Sequence, residues 1–429
     1  MTAGNKLTAW IFGGLLLGVI VGFALNRLVP DPTQWVEWFT LLTTIFLRLI
    51  KMVIAPLVFA TLTVGIAKMG DLGVVGRIGL KAFLWFVGAS LVSLTLGLVL
   101  VNLLEPGVGI GIDLPGADAK SDIVAVGLSL KEFITHLIPT SIADAMVKNE
   151  ILQIVVFSVL FGAACAAVGD KARGLVDALE GTSYVMLKFT GMVMWFAPLA
   201  VFGAVAAAIA RSGVEVLAVY GKFMGFFYVG IVLLWVLLFV AAFAVIGRRT
   251  FGLFKAVREP TLLAFATASS EAAYPKTLAM LEKFGCSNRV ASFVLPLGYS
   301  FNLDGSMMYC TFAVMFIAQA YGIELSAGQQ ATMLLILMVT SKGMAGVPRA
   351  SLVVIAATLA QFNIPEAGLL LLLGVDHFLD MGRSATNVIG NSVATAVVSK
   401  WEGQLRSEGE ISPELEAAIT PDAPHRASG

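Results

Sequence analysis

Apolar stretches about twenty residues long recur throughout this chain and leave few folds open to it. LTAWIFGGLLLGVIVGFAL, residues 7–25, is the first of them. At 1.5 Å of rise per residue, about 20 apolar residues in a helix cross a hydrocarbon layer ~30 Å thick. Only 13% of the 429 residues are charged and 58% are hydrophobic, where soluble domains carry roughly 25% charged residues. An all-α polytopic membrane protein follows. The formal net charge is zero, so the bulk balance gives no reason to expect a nucleic-acid partner. Cys165, Cys286 and Cys310 lie in or beside apolar segments without metal-ligand spacing and read as small buried hydrophobes. The first apolar run exceeds the usual 7–15-residue core of a signal peptide, and no clear small-x-small cleavage site follows. It reads as a retained first membrane helix.

Taken in order, helices are expected at about 8–28, 37–68 and 82–103, with KMGDLGVVGRIGLK (68–81) as a short basic loop between the last two. Residues 104–122 are rich in Gly, Pro and Asp. Residues 127–148, with His136 and Pro139, read as a weaker amphipathic stretch at the interface. Further spans are expected at 151–169, 183–210 and 215–247, separated by DKARGLVDALEG (170–181) and followed by RRTFGLFKAVRE (248–259). Basic loops lie on the cytoplasmic side of membrane proteins. That rule alternates consistently along six spans and puts the amino terminus and residue 248 inside, with 104–122 outside. The charged tail from Trp401 reads as a short cytoplasmic helix followed by disorder.

Beyond residue 250 the pattern changes. TLLAFATASSEAAYPKTLAMLEKFG (261–285) has two apolar arms around Ser269, Ser270, Glu271 and Pro275. LMVTSKGMAGVPRASLVVIAATL (337–359) repeats the design around SKGMAGVPRAS. Polar tips inside apolar segments are the mark of re-entrant hairpins, whose irregular backbone is tolerated only inside protein or against water. Two such broken segments point to a transporter binding site. Between them, 292–322 reads as a helix broken at Asn302–Ser306, where freed carbonyls and Asp304 would make an oxygen-rich cation cage.

The last apolar segment, 374–403, carries Asp376, Asp380, Arg383, Asn387 and Asn391 at spacings of 4, 3, 4 and 4, all on one helical face. A charge at bilayer depth costs at least ~2.5–3.5 kcal/mol, so such a stripe needs partners or a watery cavity. Helix amino ends and Ser hydroxyls at two hairpin tips can hold one carboxylate. Arg383 offers a planar fork for a second, and Asp380 can accept from an ammonium. Together these describe an acidic amino acid. The competing reading of Asp380 and Arg383 is a mutual i,i+3 ion pair.

TASSEAAYP, GYSFNLDGSMMY, TSKGMAGVP and LDMGRSATNVIGN, in this order, resemble the dicarboxylate/amino acid:cation symporter family of glutamate transporter-like proteins, over about residues 5–403. The resemblance implies eight transmembrane helices, two re-entrant helical hairpins, a homotrimer and elevator-type alternating access in a bacterial inner membrane, with both termini cytoplasmic. It also implies a division of the chain. Residues 1–76 and 105–212 would form the scaffold. Residues 77–104 and 213–403 would form the transport unit, with hairpins at about 255–285 and 327–362, and 404–429 would be a cytoplasmic tail. By motif position, Asp380 meets the substrate amine and Arg383 its side-chain carboxylate. Ser306, Ser384 and Asn387 contact substrate, Ser269 and Ser270 form the first hairpin tip, and Val347 and Pro348 belong to the second. Ser90, Asn302, Asp304 and Asp376 belong to the cation region.

This chain departs from that pattern in ways that bear on coupling. Sodium-coupled members usually have an aspartate at the position of Asn391, and Tyr and Thr where this chain has Phe86 and Ala89. Loss of an anionic ligand weakens a hard-cation site, so protons rather than sodium are expected as the co-transported ion, with no bound cofactor. Glu271, Asp304 and Asp376 are the alternative proton carriers. Glu271 resembles the C4-dicarboxylate branch and Asp380 the amino-acid branch. Arg349 stands where a small residue is commoner, as a partner for Glu271 or Asp380 or as a second carboxylate clamp. A channel fits two blocked hairpins less well than a transporter. An intramembrane enzyme fits least, with no HExxH or GxSG motif. His377, beside Asp376, is an interfacial histidine or a proton relay.

Overall fold

The computed structural model describes residues 3–67, 72–109, 135, 138–212, 220–341, 350–373 and 375–406. These are helical nearly throughout, and among the described residues extended pairing is limited to one isolated bridge between Cys286 and Leu405. The helices are α1 (Ala3–Leu28), α2 (Thr33–Ala67), α3 (Leu72–Leu104), α4 (Ile142–Lys148), α5 (Ile151–Val168), α6 (Arg173–Val193), α7 (Ala197–Ser212) and α8 (Gly221–Ile246). There follow α9 (Arg249–Thr267), α10 (Ser270–Phe284), α11 (Asn288–Phe301), α12 (Asp304–Ala320), α13 (Ala327–Thr340), α14 (Ala350–Gln361), α15 (Leu369–Leu373) and α16 (Asp376–Trp401). Among the described residues, 6 helical segments are long and apolar enough to cross a membrane.

Two packed groups share the chain. In one, α2 packs against α5, α6 and α7, and α1 lies along α7. In the other, α16 is the hub, touched by α8, α9, α10, α11 and α12, while α3 packs along α12. The two groups meet where α11 lies against α2 and α5. The α1–α7 contact is made by Gly14, Gly18 and Gly22, four residues apart. A Cβ on any of them would meet the backbone oxygen of Pro198, Phe202 or Ala206 at 2.5–2.8 Å. Small residues at this spacing let two helix backbones approach closely in lipid.

Three expected loops are helical instead. Residues 72–81 begin α3, because Val75, Ile78 and Ala82 bury one face at helical spacing and Gly73, Gly76 and Gly79 are tolerated inside it. Residues 249–259 begin α9 in the same way, burying Thr250, Leu253 and Val257. After a 3-10 turn at Gly169–Ala172, the chain runs on as α6, with no proline between Arg173 and Val193. The span expected at 183–210 is divided by a second 3-10 turn, Met194–Phe196, just ahead of Pro198. The break expected over Asn302–Ser306 is narrower, confined to Asn302 and Leu303. The described part of the 127–148 stretch holds only the short α4; His136 lies outside the described residues.

The first hairpin is present as α9 and α10, which pack together and are joined by a Lys276–Glu259 ion pair of 3.0 Å. Its turn is made without glycine: Ala268 adopts φ 49° and its N–H caps the end of α9, while Ser269 accepts from Ala272 N at 3.3 Å to begin α10. The arms of the second hairpin are α13 and α14, and its tip lies outside the described residues. Over the described residues after Trp401, 402–406, the chain is not helical, and the rest of the expected tail lies outside the described residues. Residues 402–406 run back along the end of the first hairpin, with Ser287 N donating to Gln404 O and Arg406 N to Gly285 O. Glu402 is held by Arg77 at 2.9 Å and by Lys81 at 2.6 Å.

Candidate functional site

The helix break at Asn302–Leu303 frees the first N–H groups of α12, and the stripe on α16 supplies their acceptor. Asn387 Oδ1 accepts from Gly305 N at 2.9 Å and from Ser306 N at 3.4 Å, and Asn387 Nδ2 donates to Ser306 Oγ at 3.2 Å. One side chain thus caps a helix belonging to another part of the chain, replacing the local cap that Leu303 cannot give. The fit is close: a Cβ on Gly305 would lie 2.6 Å from Arg383 O and 2.8 Å from its Cα.

On the α11 side of the break, Asn302 Nδ2 donates to Asp304 Oδ2 at 3.1 Å and to Asn391 Oδ1 at 3.2 Å. Ser93 Oγ donates to Asp304 Oδ1 at 3.3 Å, and Ser90 Oγ to Phe301 O at 3.4 Å. Asn302 and Asp304 are fully buried, and Asn391 nearly so. Among the described residues, Asn302 Oδ1 and Asn391 Nδ2 are buried with no hydrogen-bond partner. Room for the Asn391 amide and the Asp304 carboxylate comes from Gly298 and Gly390, where a Cβ would collide with them.

At the other end of the stripe, Arg383 is 2% exposed. Its Nη2 bridges Asp376 at 3.1 Å and Asp380 at 2.9 Å. The guanidinium stands 4.1 Å from the ring centre of Tyr309, whose hydroxyl donates to Asp376 Oδ1 at 3.3 Å. Among the described residues, Nε and Nη1 are buried and have no acceptor. Arginine carries five donors and cannot shed its charge, so this guanidinium is fixed in place with much of its donor capacity unspent. Asp380 is 35% exposed where Asp376 is 6%. Both face a cavity of about 260 Å³ whose other wall is Thr40, Thr43 and Arg211, from α2 and α7.

The stripe therefore lies on one face, as its spacing implies, and it divides into a charged end and an amide end. The ion pair weighed against a binding role for Asp380 and Arg383 is present. It does not exhaust the guanidinium. Ser384 is buried on α16 without joining these contacts. At the first hairpin tip, Ser269 spends its hydroxyl on the cap of α10. Ser270 and Glu271 stand half-buried in the first turn of that helix. Val347, Pro348 and Arg349 lie outside the described residues. Sequence reasoning missed Ser93 and Tyr309. Ser93 is one turn beyond Ser90 on α3, and Tyr309 lies three residues past Ser306 on α12, so helical spacing from these predicted residues would have found them.

The profile of the sodium:dicarboxylate symporter family matches residues 7–401. A C4-dicarboxylate transport protein of Anaeromyxobacter dehalogenans is 39% identical over 99% of this chain and 99% of its own length. A proton/sodium-glutamate symport protein of Geobacillus stearothermophilus is 40% identical over 93% of this chain and 96% of its own. A C4-dicarboxylate transport protein of Bacillus subtilis is 38% identical over 94% of each.

Proposed function

We propose that this chain, which belongs to the sodium:dicarboxylate symporter family, is a proton-coupled symporter that imports the acidic amino acids glutamate and aspartate. Members of this family are transporters and not enzymes. The observation that carries the reading is Arg383: a buried guanidinium fixed by two aspartates and Tyr309, with Nε and Nη1 lacking acceptors among the described residues. An entering carboxylate supplies the missing acceptors. Asp380, the more exposed of the two aspartates and open to the cavity, then exchanges part of its bond to Arg383 for the substrate ammonium. Asn387 lies one to two turns along on the same face, bonded to Ser306 of α12. Ser269 and Ser270 would contribute from one hairpin, and Val347 and Pro348, which lie outside the described residues, would contribute from the other.

Stripe and break together hold three carboxylates, Asp304, Asp376 and Asp380, against the one guanidinium of Arg383. An anionic substrate adds to that negative charge, so the loaded unit needs a cation to travel with it. Asn391 offers an amide where a hard cation prefers a carboxylate, and its Oδ1 is taken by Asn302. This favours a proton as the coupling ion, carried by Glu271, Asp304 or Asp376. The α16-centred group, with α3, would be the moving unit, and α1, α2 and α5–α7 the scaffold. A homotrimer in a bacterial inner membrane with both termini cytoplasmic completes the proposal.

A second reading, a C4-dicarboxylate symporter, is favoured by a different observation. Asp380 already lies 2.9 Å from Arg383, which gives its carboxylate a task that requires no substrate amine, and several relatives are named C4-dicarboxylate transport proteins. Uptake of radiolabelled aspartate, glutamate and succinate into proteoliposomes, under separately imposed proton and sodium gradients, separates the readings. Succinate uptake without amino-acid uptake overturns the first. Uptake driven by sodium and not by a pH gradient overturns proton coupling.

A further inference from the structure

Between the first hairpin and α2 lies a set of buried hydroxyls that the substrate site does not use. Tyr274 and Thr277 on α10, Ser292 and Tyr299 on α11, and Thr61 on α2 are none of them more than 7% exposed. Among the described residues, Tyr274 Oη, Tyr299 Oη and Ser292 Oγ have no hydrogen-bond partner. Buried polar groups are nearly always paired with protein or ordered water, so three exceptions on two adjoining helices need an explanation. Their order in space supplies one. Glu271 and Tyr274 are three residues apart on α10 and share a face. Tyr274 packs edge to face on Tyr299, 5.4 Å between ring centres. The Tyr299 hydroxyl lies within electrostatic reach of the Glu271 carboxyl and beside Thr277, and the Tyr274 hydroxyl approaches Thr61. Thr61 and Gly65, one turn apart on α2, line a polar cavity of about 230 Å³ with Glu282 and Arg289. Ser292 reaches the same turn of α2, where a Cβ on Gly65 would lie 3.2 Å from its Oγ. Gln404 and Arg406 of the strap line the cavity too, at the end of the molecule that is cytoplasmic in the proposed orientation.

We propose that Glu271 carries the coupled proton and discharges it into this cavity through Tyr299, Tyr274 and Thr61, with single water molecules completing the row. The proposal rests on the proton-coupled reading above and names its carrier and its path. A hydroxyl both donates and accepts, so each member can take one proton and pass on another. The Glu271 carboxyl gives its proton to the first member, and Thr61 gives one to water in the cavity. Glu271 is left as a carboxylate, the hydroxyls keep their composition, and the cavity gains one proton. Thr61 Oγ1 donates to Leu57 O at 2.7 Å, which leaves its lone pairs to accept from the Tyr274 side. The charged groups facing Glu271 are Lys51 on α2, which favours the carboxylate left behind, and Glu150 ahead of α5, which opposes it. Glu271, Tyr274 and Tyr299 belong to the α16-centred group, whereas Thr61 and Lys51 belong to α2 in the other. The row is therefore whole only while the two groups stand as they do here. A shift of one group against the other interrupts it, which ties discharge to one stage of transport and prevents a standing leak.

The test uses the full-length protein in proteoliposomes that hold a pH-sensitive dye, so that proton entry is recorded beside uptake of radiolabelled aspartate, glutamate and succinate. Exchange of internal for external substrate is measured in parallel, because it needs no net proton release. Tyr274→Phe, Tyr299→Phe and Thr61→Val each delete one hydroxyl. Each should slow net uptake and proton entry roughly a hundredfold, the lower end of what a positioned proton-transfer group contributes, while exchange keeps the parent's rate. If a tyrosine variant does not fold, Thr61→Val carries the same test from the other helix group. Glu271→Gln should abolish the dye response, and a response that persists overturns Glu271 as the carrier. Proton entry at the parent's rate in all three hydroxyl variants overturns the path. So does an equal slowing of exchange and net uptake, which marks a structural role alone. Uptake by the parent with no dye response, or only under a sodium gradient, overturns proton coupling itself and this proposal with it. A failure confined to the variants leaves the proton-coupled reading standing.

Discussion

Replacing Arg383 by methionine separates the structural share of the charged end of the stripe from its binding share. In the parent, Asp376 is 6% exposed in its side chain and receives bonds from Arg383 and Tyr309, whereas Asp380 is 35% exposed. Water and counterions screen Asp380 when Arg383 is gone, so its loss of a partner costs little. Asp376 has no such relief. Breaking a buried pair by removing one partner costs about 3–5 kcal/mol, most of it the charge left behind. Arg383→Met should therefore lower the melting temperature in detergent markedly. Arg383→Met combined with Asp376→Asn should recover most of that loss, because the asparagine amide keeps an acceptor for Tyr309 without the charge. Binding should not recover. Loss of a buried charged partner for a substrate carboxylate costs about 2–5 kcal/mol, roughly 30- to several-thousand-fold in Kd, and both variants should show it by calorimetry with aspartate, glutamate and succinate. If the double variant is as unstable as the single, the penalty does not come from the orphaned Asp376. If either variant binds substrate with the parent's affinity, Arg383 is not the carboxylate clamp.

Other expectations follow from particular contacts. Gly305→Ala should destabilise by about 1–3 kcal/mol and abolish uptake, because its Cβ must displace the backbone of Arg383; Gly76→Ala, with open space around it, should leave both thermal melts and uptake unchanged. Asn387→Ala removes the acceptor for two N–H groups of α12 and should cost ~0.5–2 kcal/mol as a lost cap together with substrate affinity, whereas Asn387→Asp should keep the stability measured by thermal melting. Glu402 tests the strap after α16. Burial pushes its carboxyl up, but the hydrogen bonds and charges of Arg77 and Lys81 outweigh burial and hold it below its ordinary value. A depressed carboxylate gives stability that is present above its unfolded value and lost as pH falls through the folded one. Melting temperature should therefore drop faster below the ordinary carboxylate range in the parent than in Glu402→Gln.

Much of this architecture is legible in the residues themselves, and the reasons differ from place to place. The stripe on α16 is readable because charges in an apolar helix are costly enough to be deliberate. The hairpin arms are readable because Ser269–Glu271 interrupts them. The boundaries of α3 and α9 are not, because Gly and Arg in 72–81 and 248–259 look like loop chemistry until the buried faces Val75–Ile78–Ala82 and Thr250–Leu253–Val257 are seen to need helix. The role of Asn387 as the cap of α12 is hidden for another reason. It depends on a contact across 82 positions in sequence, and no local pattern announces it. The glycine row on α1 shows as a spacing of four, yet only the partner backbone on α7 gives that spacing a meaning.

That glycine row has a consequence for how the molecule spends conformational freedom. Where two helices lock through long side chains, each interlocking rotamer gives up entropy, up to about 2 kcal/mol for the longest. Gly14, Gly18 and Gly22 have no side-chain rotamers to give up, and what they meet on α7 is largely main chain. The contact between α1 and α7 is thus made by surfaces that hardly fluctuate, and it changes little with temperature-driven rotamer exchange. If the α16-centred group shifts against its neighbours during transport, this seam is suited to be the part that holds still.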